Sequence, residues 1–513
     1  MKINRTSCIL LIILILGAIL RLYGLAAHGI WYDEARSVVM SQNDLNMHSY
    51  LSIFSYKPLY FLFLKLWSKI FGIGAFWLRF PSVIFAILSL MVVYLVGKEI
   101  ADKKLGLIAS FLLAISCFHI YHSQQVRQYT MLVLLVLLSY LYFIRIIKQD
   151  NSLNYVINTL FNILIIFVHP YGLTIIIAQN ISLLLMFRKE ILRKRWFYCQ
   201  IIIMFFILIW FFTSNKTRMF YNTWWIHSPN LNSILETFQT FSYGGPRYGL
   251  DDYRIIFRFP VFIMALFILY NALFIIGLID RYADKRLKFL LIFWLFIPIA
   301  IASVVSFFVP AYLIKHLIIV LPAYYLIVAF GIYRLKKNSI IFLSLFLLFL
   351  LAIYPMKKIY LEDYNIDWKQ TAEFLRKNIG RNDIILISTT AEITPFLYHF
   401  TFPNASSLKD IDTYGKLYNR EIRSIFNQGN YLIVGLAQNQ SRGIDFVRND
   451  VEKKIKYIKD ILGNSKSDNI WLAISRWTGV PEEEFIIGYL ENIFNKDIRV
   501  KFRGVTVYKY HKS

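Results

Sequence analysis

The chain has 513 residues, of which 57% are hydrophobic and 17% charged, and its mean hydropathy is +0.52. That balance excludes a string of soluble domains, although length alone would suggest about three of them. A formal net charge of +25 would point to a nucleic-acid binder in a soluble protein; among apolar runs this long, basic loops set membrane orientation instead, and no nucleic-acid partner is expected.

A bilayer core takes about 20 apolar residues per helix. About eleven runs qualify: 8–25, 78–97, 105–121, 128–147, 155–170, 172–187, 198–213, 256–279, 289–309, 313–333 and 339–355. Lys2 and Arg5 precede the first run. Lys98, Lys103 and Lys104 follow the second, Arg145 and Lys148 the fourth, and Arg188 to Arg195 the sixth. Arg281 to Lys288 follow the eighth, and Arg334 to Lys337 the tenth. All these loops fall on one side if the spans alternate, and the positive-inside rule makes that side cytoplasmic. The expected location is the cytoplasmic membrane, with the N-terminus inside and the C-terminal part outside. Residues 1–27 also have the outline of a signal peptide, with Ala26-Ala27 as a cleavage site. The apolar run is long for that role, and an uncleaved first span is the reading adopted.

Tyr32-Asp33-Glu34-Ala35-Arg36 directly follows the first span. Carboxylates at the edge of a membrane segment are costly to leave unused and mark a functional site by default. Helix capping explains one of them, with Asp33 as N-cap and Glu34 favoured by the dipole. The functional alternative is a general base aimed at an acceptor hydroxyl or amine.

Two external loops are long, 26–77 and 214–255. In the first, Pro58 to Phe71 carries Lys65 and Lys69 four apart among apolar residues and reads as a helix lying in the membrane interface. Lys57, just before it, is either a snorkelling lysine or a cation for a lipid phosphate. The second loop, with Trp224-Trp225, Pro229 and Gly244-Gly245-Pro246, reads as another interfacial segment closed by a turn.

Further along, His122-Ser-Gln-Gln-Val-Arg127-Gln-Tyr129 links the third and fourth spans on the outer side. Arg127 there runs against the local charge bias, which favours a specific anionic partner. His169-Pro170-Tyr171 lies at the outer turn between spans five and six, where a histidine is often only a hydrogen-bonded helix end. Lys315-His316 lies near the outer end of span ten and suits a phosphate or the Asp33-Glu34 pair. Cys8, Cys117 and Cys199 have no zinc-ligand spacing.

Beyond Pro355 the pattern changes. Helical stretches at 367–379, 447–461 and 481–494 alternate with strands at 383–388, 431–436 and 469–475. This reads as a small α/β domain, without a glycine-rich phosphate loop. The expected division is a transmembrane domain, 1–355, and an extracytoplasmic α/β domain, 356–513.

These residues, in this order, resemble the membrane glycosyltransferases of the GT-C superfamily, in the branch of the protein O-mannosyltransferases and the aminoarabinose transferase of lipid A. Tyr32-Asp33-Glu34-Ala35 looks like the family's Asp-Glu motif in the first external loop. Lys57-Pro58-Leu59-Tyr60 is similar to the motif opening its interfacial helix, and Leu78-Arg79-Phe80-Pro81-Ser82 to the start of its second span. Tyr121 to Tyr129 resembles its Ser-Gln-Glu-Ala-Arg-x-Tyr motif, and Trp225 to Gly245 its long amphipathic loop. Asp367-Trp368-Lys369, followed by Asn382 to Leu386, is similar to the start of its external domain. Each motif is weak alone; their order and spacing together are specific.

The resemblance implies a polytopic α-helical enzyme of GT-C type that moves a sugar from a polyprenyl-phosphate carrier to a glycan, lipid or protein outside the membrane. Asp33 maps onto the catalytic aspartate, with Glu34 as its companion. Lys57 matches a lysine that contacts the carrier phosphate. Arg127, Lys315 and His316 are the further expected phosphate contacts, and Arg36, Tyr129, His169 and Tyr171 the expected substrate contacts. Ser55 stands where the aminoarabinose transferase has a metal-binding glutamate, Gln125 replaces the usual glutamate of the Arg127 motif, and Lys315-His316 replaces a common Arg-Tyr pair. No cofactor or metal is demanded by the chemistry. The rival classes are a transporter or flippase of lipid-linked sugars, which should show paired broken helices and an internal repeat, and a sugar-binding scaffold without activity. No convincing repeat is visible.

Overall fold

The computed structural model describes residues 5–42, 57–186, 190–213, 228–244, 261–279, 284–361, 366–388, 390–401, 424–427, 432–436, 469–475 and 482–512, with short pieces of 455–467. Ser55, Trp224-Trp225 and Gly245-Pro246 lie outside the described residues, as does most of the expected 447–461 helix.

In chain order the helices are α1 (Arg5–Leu22), α2 (Tyr32–Gln42), α3 (Pro58–Phe71), α4 (Ala75–Ile100), α5 (Lys103–Ala114), α6 (Cys117–Ser123), α7 (Tyr129–Lys148), α8 (Ser152–Val168) and α9 (Gly172–Met186). They continue as α10 (Glu190–Thr213), α11 (Leu231–Tyr243), α12 (Val261–Ile279), α13 (Lys285–Val305), the 3-10 turn Ile314–Val320, α14 (Leu321–Tyr333) and α15 (Asn338–Leu361). Among the described residues eight helices are long and apolar enough to cross a bilayer, and the bent pair α5–α6 makes a ninth; α8 and α9 are shorter apolar helices. Among the described residues each of the eleven expected runs carries apolar helix, and the chain is a multi-pass membrane protein. The physical reason is that only a helix satisfies its own backbone in hydrocarbon.

One expected span is not continuous. The 105–121 run bends by 62° between α5 and α6, because the Ser116 hydroxyl accepts the N–H of His119 and starts a new helix. The 313–333 run likewise opens as a 3-10 turn before α14, with Pro322 in the first helical turn.

By contact the chain forms two compact units. One comprises Met1–Leu25, Asn46–Phe63 and Arg79–Asp363. The other comprises Ala26–Leu45, Leu64–Leu78 and Tyr364–Ser513, so two pieces of the 26–77 segment group with the C-terminal part. Within the first unit, α12 crosses α14 at glycines: a Cβ on Gly277 would meet the Ile327 carbonyl oxygen at 2.0 Å, and one on Gly331 the Leu273 oxygen at 2.0 Å. Small residues let backbones approach where lipid tails offer no hydrophobic drive. α7, α8 and α9 are joined by a buried polar cluster. Ser139 donates to Asn162 at 2.7 Å, Asn162 to Gln179 at 3.0 Å, and Gln179 back to Ser139 at 2.7 Å.

The second unit is built on a six-stranded sheet of β1 (Ile384–Ile387), β2 (Ser424–Asn427), β3 (Leu432–Gly435), β4 (Asn469–Ser475), β5 (Phe494–Phe502) and β6 (Val505–Lys512), ordered β2-β3-β1-β4-β6-β5. β1 runs parallel to β3 and β4; the remaining pairs are antiparallel. Alternation with period two puts Ile384, Leu386, Ile470, Leu472, Ile474, Tyr508 and Tyr510 into one core together with Ile486 and Leu490 of α18 (Glu482–Glu491). α16 (Trp368–Asn378) lies on the other face, with Phe374 edge-on to Trp471. It packs against α17 (Thr390–Thr401), where Trp368 meets Phe396. α17 and the β5–β6 hairpin were not expected from the sequence. Pro395 interrupts the helical reading of the first. In the second, β5 alternates exposed charged residues with only partly buried apolar ones.

Candidate active site

In the membrane unit, the site is assembled from the loop between α6 and α7, the α8–α9 turn, the 3-10 turn and the start of α3. The bend at Ile115 frees the last carbonyls of α5, which need donors inside a membrane. Arg21, fully buried near the end of α1, supplies them. Its guanidinium donates to the carbonyls of Leu113 and Ala114, each at 3.0 Å, and to that of Gly17 at 3.0 Å. It also lies 2.8 Å from His119 Nδ1, which accepts. The Gln124 amide donates back to the carbonyls of Arg21 and Tyr23. On α4, the Ser82 hydroxyl donates to the carbonyl of Gln125 at 2.7 Å. The Arg127 loop is thus tied to two spans.

That loop presents its side chains to a group of aromatic and imidazole rings. Arg127 sits 5.6 Å from the centroid of the Tyr129 ring, a cation–π distance, with Nη2 3.5 Å from the phenol oxygen. His122 lies edge-on to Tyr129 at 4.7 Å and 3.3 Å from Gln125 Oε1. His169 follows α8 as its C-cap. Its Nδ1 accepts the backbone N–H of Tyr171 at 3.2 Å, which leaves the ring proton on Nε2. The His169 and His316 rings are 4.5 Å apart, and Tyr171 closes the group 4.9 Å from His316. The Tyr171 hydroxyl donates to the carbonyl of Ala311. Lys57, buried just before Pro58, joins Arg127 and Lys315 in acting electrostatically on both His169 and His316. His316 Nδ1 is buried with no hydrogen-bond partner among the described residues.

Seven of the residues singled out from the sequence are therefore brought together in this unit: Lys57, Arg127, Tyr129, His169, Tyr171, Lys315 and His316. Arg21 and His119 were missed, although an arginine within a first span was itself a signal.

Asp33, Glu34 and Arg36 lie in the second unit, on α2. The helix starts at Tyr32, two residues earlier than a cap at Asp33 requires. Trp31 precedes it, and Glu34 reaches back to accept the Trp31 backbone N–H at 3.3 Å. The capping role expected of Asp33 is therefore filled by Glu34, at the third helical position where this back-bond forms. Glu34 is fully buried, whereas Asp33 is partly exposed. Among the described residues no three His, Cys, Asp or Glu side chains gather as they would around a metal ion.

Comparison with known proteins bears on this arrangement. Residues 55–212 match the family described as dolichyl-phosphate-mannose-protein mannosyltransferase. No curated protein matches the chain in sequence. Among solved structures, the chain is similar to ArnT from Cupriavidus metallidurans in the apo state, with a TM-score of 0.60 at 9% identity over 99% of this chain and 98% of that one. The same protein bound to undecaprenyl phosphate gives 0.56 at 11% identity, over 98% and 97%. The Archaeoglobus fulgidus oligosaccharyltransferase in complex with Zn and sulfate gives 0.50 at 12% identity, over 98% of this chain and 72% of that one. The chain shares its fold with ArnT, as expected from the GT-C resemblance of its motifs.

Proposed function

We propose that this chain, a membrane glycosyltransferase of GT-C type by its fold and its matched segment, transfers a sugar from a polyprenyl-phosphate-linked donor to a glycan, lipid or protein outside the cytoplasmic membrane. The observation that carries this reading is the convergence of Lys57, Arg127 and Lys315 on the His169–His316 pair inside an apolar helical unit. Cations gathered in an apolar helical unit suit an anionic ligand. A carrier phosphate fits it: three positive charges face an ester whose negative charge grows as the sugar leaves, so the interaction strengthens in the transition state. The Nε2–H of His169 supplies a directed donor.

Asp33 acts as general base. It takes the proton from the acceptor as the acceptor attacks the anomeric carbon, and the carrier phosphate leaves with the bonding pair. Direct displacement inverts the anomeric configuration. A positioned base contributes roughly 10²–10⁴-fold. Glu34 holds the start of α2. The apolar face of α3, with Leu62, Leu66 and Ile70 exposed at every fourth position, suits contact with lipid. The basic loops support an orientation with the N-terminus inside and the C-terminal domain outside.

The test is Asp33→Asn in purified protein, supplied with lipid-linked sugars extracted from the producing cells. Loss of transfer with folding unchanged is expected; transfer at near wild-type rate would remove Asp33 from the role of base.

A further inference from the structure

α17 belongs to the external domain by its packing on α16, yet it also packs along α2. Two consecutive side chains near its C-terminal end reach backbone carbonyls in the two pieces of the first external loop. His399 Nε2–H donates to the carbonyl of Ile30 at 3.1 Å, two residues before α2 begins. Tyr398 Oη donates to the carbonyl of Ile73 at 2.7 Å, in the link between α3 and α4. The approach is close: a Cβ on Gly29 would come within 3.1 Å of His399 Nε2 and 3.2 Å of Lys369 Cβ.

The donors are themselves held. Arg376 donates to the backbone carbonyl of His399 at 2.9 Å, and Phe396 stacks on Phe400 at 5.0 Å beneath them. Ala35, Val38 and Val39 on α2 are fully buried. The ladder of α2 begins at the Trp31 carbonyl, which accepts the Ala35 N–H, so a donor fixed on the Ile30 carbonyl one residue ahead sets where the helix starts and how it is aimed.

We propose that the external domain is the positioning platform of the Asp33 helix and that His399 is its positioning residue, holding α2 through the Ile30 carbonyl. This rests on the reading of Asp33 as base. His399 touches no substrate; it fixes the geometry from which Asp33 acts, and displacements of about 1 Å in such geometry can cost up to about 100-fold in rate.

The experiment compares His399→Leu, His399→Gln, Tyr398→Phe and Asp33→Asn in the full-length protein. Turnover is read with lipid-linked sugars extracted from membranes, binding with undecaprenyl phosphate, and order in α2 by hydrogen exchange. His399→Leu is expected to lower kcat about 10-fold, to raise exchange over 32–42 and to leave undecaprenyl phosphate binding and the protection of β4 unchanged. His399→Gln, whose amide nitrogen can take the Nε2 position, restores turnover to within about threefold of wild type. Tyr398→Phe keeps the fold and lowers kcat with binding intact. A His399→Leu protein with wild-type turnover and wild-type exchange over α2, while Asp33→Asn is inactive, overturns the positioning role. Wild-type turnover of Asp33→Asn instead overturns the assignment of the base, and the exchange measurement then still decides whether His399 holds α2.

Discussion

The Glu34 carboxylate accepts the backbone N–H of Trp31 across 3.3 Å, and this bond divides the labour of the adjacent acids. Glu34 is buried at the third position of α2, and Asp33 keeps partial exposure one residue before it. Glu34→Gln, whose side-chain carbonyl can still accept the bond, is expected to lower stability by less than about 1 kcal/mol, while Glu34→Ala costs about 1 kcal/mol or more. Asp33→Asn is expected to lower kcat by roughly 10²–10⁴-fold with an unchanged unfolding midpoint. Thermal unfolding in detergent, read beside initial rates, separates the two; a rate loss for Glu34→Gln as large as for Asp33→Asn would assign both carboxylates to the chemistry.

The cation group makes a prediction about the donor alone. Lys57→Met and Arg127→Met each remove a charged donor worth about 1.5–3 kcal/mol to a phosphate, which weakens undecaprenyl phosphate binding roughly 10- to 100-fold. The check is a binding titration with undecaprenyl phosphate. Affinities within twofold of wild type for both variants would place the phosphate elsewhere.

Arg21 bridges three carbonyls and His119 at the break between α5 and α6. Arg21→Met takes a buried charged donor from these carbonyls and from His119 and is expected to destabilise the protein by about 1–3 kcal/mol. Arg21→Lys should recover little of it, because one ammonium cannot fork to partners on both helices. The measurement is the unfolding midpoint in detergent, and full rescue by lysine would show that charge rather than geometry matters there.

Glu392, on α17, is buried against the Trp368 indole N–H, which donates to it. Burial pushes its carboxyl up to about 7, against a smaller lowering by the indole bond. The folded protein then holds a proton that the unfolded chain releases near pH 4.5, so this group's contribution to stability falls as pH rises from about 4.5 through 7 and levels off above. Its span is about 3 kcal/mol. Glu392→Gln, which keeps an acceptor for the indole, is expected to flatten that part of the pH–stability curve. Denaturation of both proteins between pH 4.5 and 8 tests this; parallel curves would show that the carboxyl is charged when folded throughout.

The spans were legible because a bilayer imposes the same demand on every helix: about 20 apolar residues and no unpaired backbone. The helix from Pro58 to Phe71 was equally plain, since Pro58 fixes its first residue and apolar positions recur along one face. Strands β1, β3 and β4 announced themselves as buried apolar runs. β5 did not, because an edge strand covered with Lys496, Arg499 and Lys501 reads as polar chain until its partner β6 is in place. The bend at Ile115 was hidden for a similar reason: a single serine in an apolar run breaks a helix only where something else receives the freed carbonyls, and that something is Arg21, far away in the chain.

By itself the sequence determined the membrane class, the places of the apolar helices, and the set of residues with chemistry to offer. Each of these depends on local composition, which the chain carries wherever it folds. The tertiary structure decided which of them meet. His169 and His316 come within 4.5 Å of one another only because the turn after α8 and the 3-10 turn, itself packed on α7, fold into one unit. α2 is aimed by His399 only because α17 lies against it. Contacts between residues distant in the chain are set by packing geometry, which no local pattern encodes.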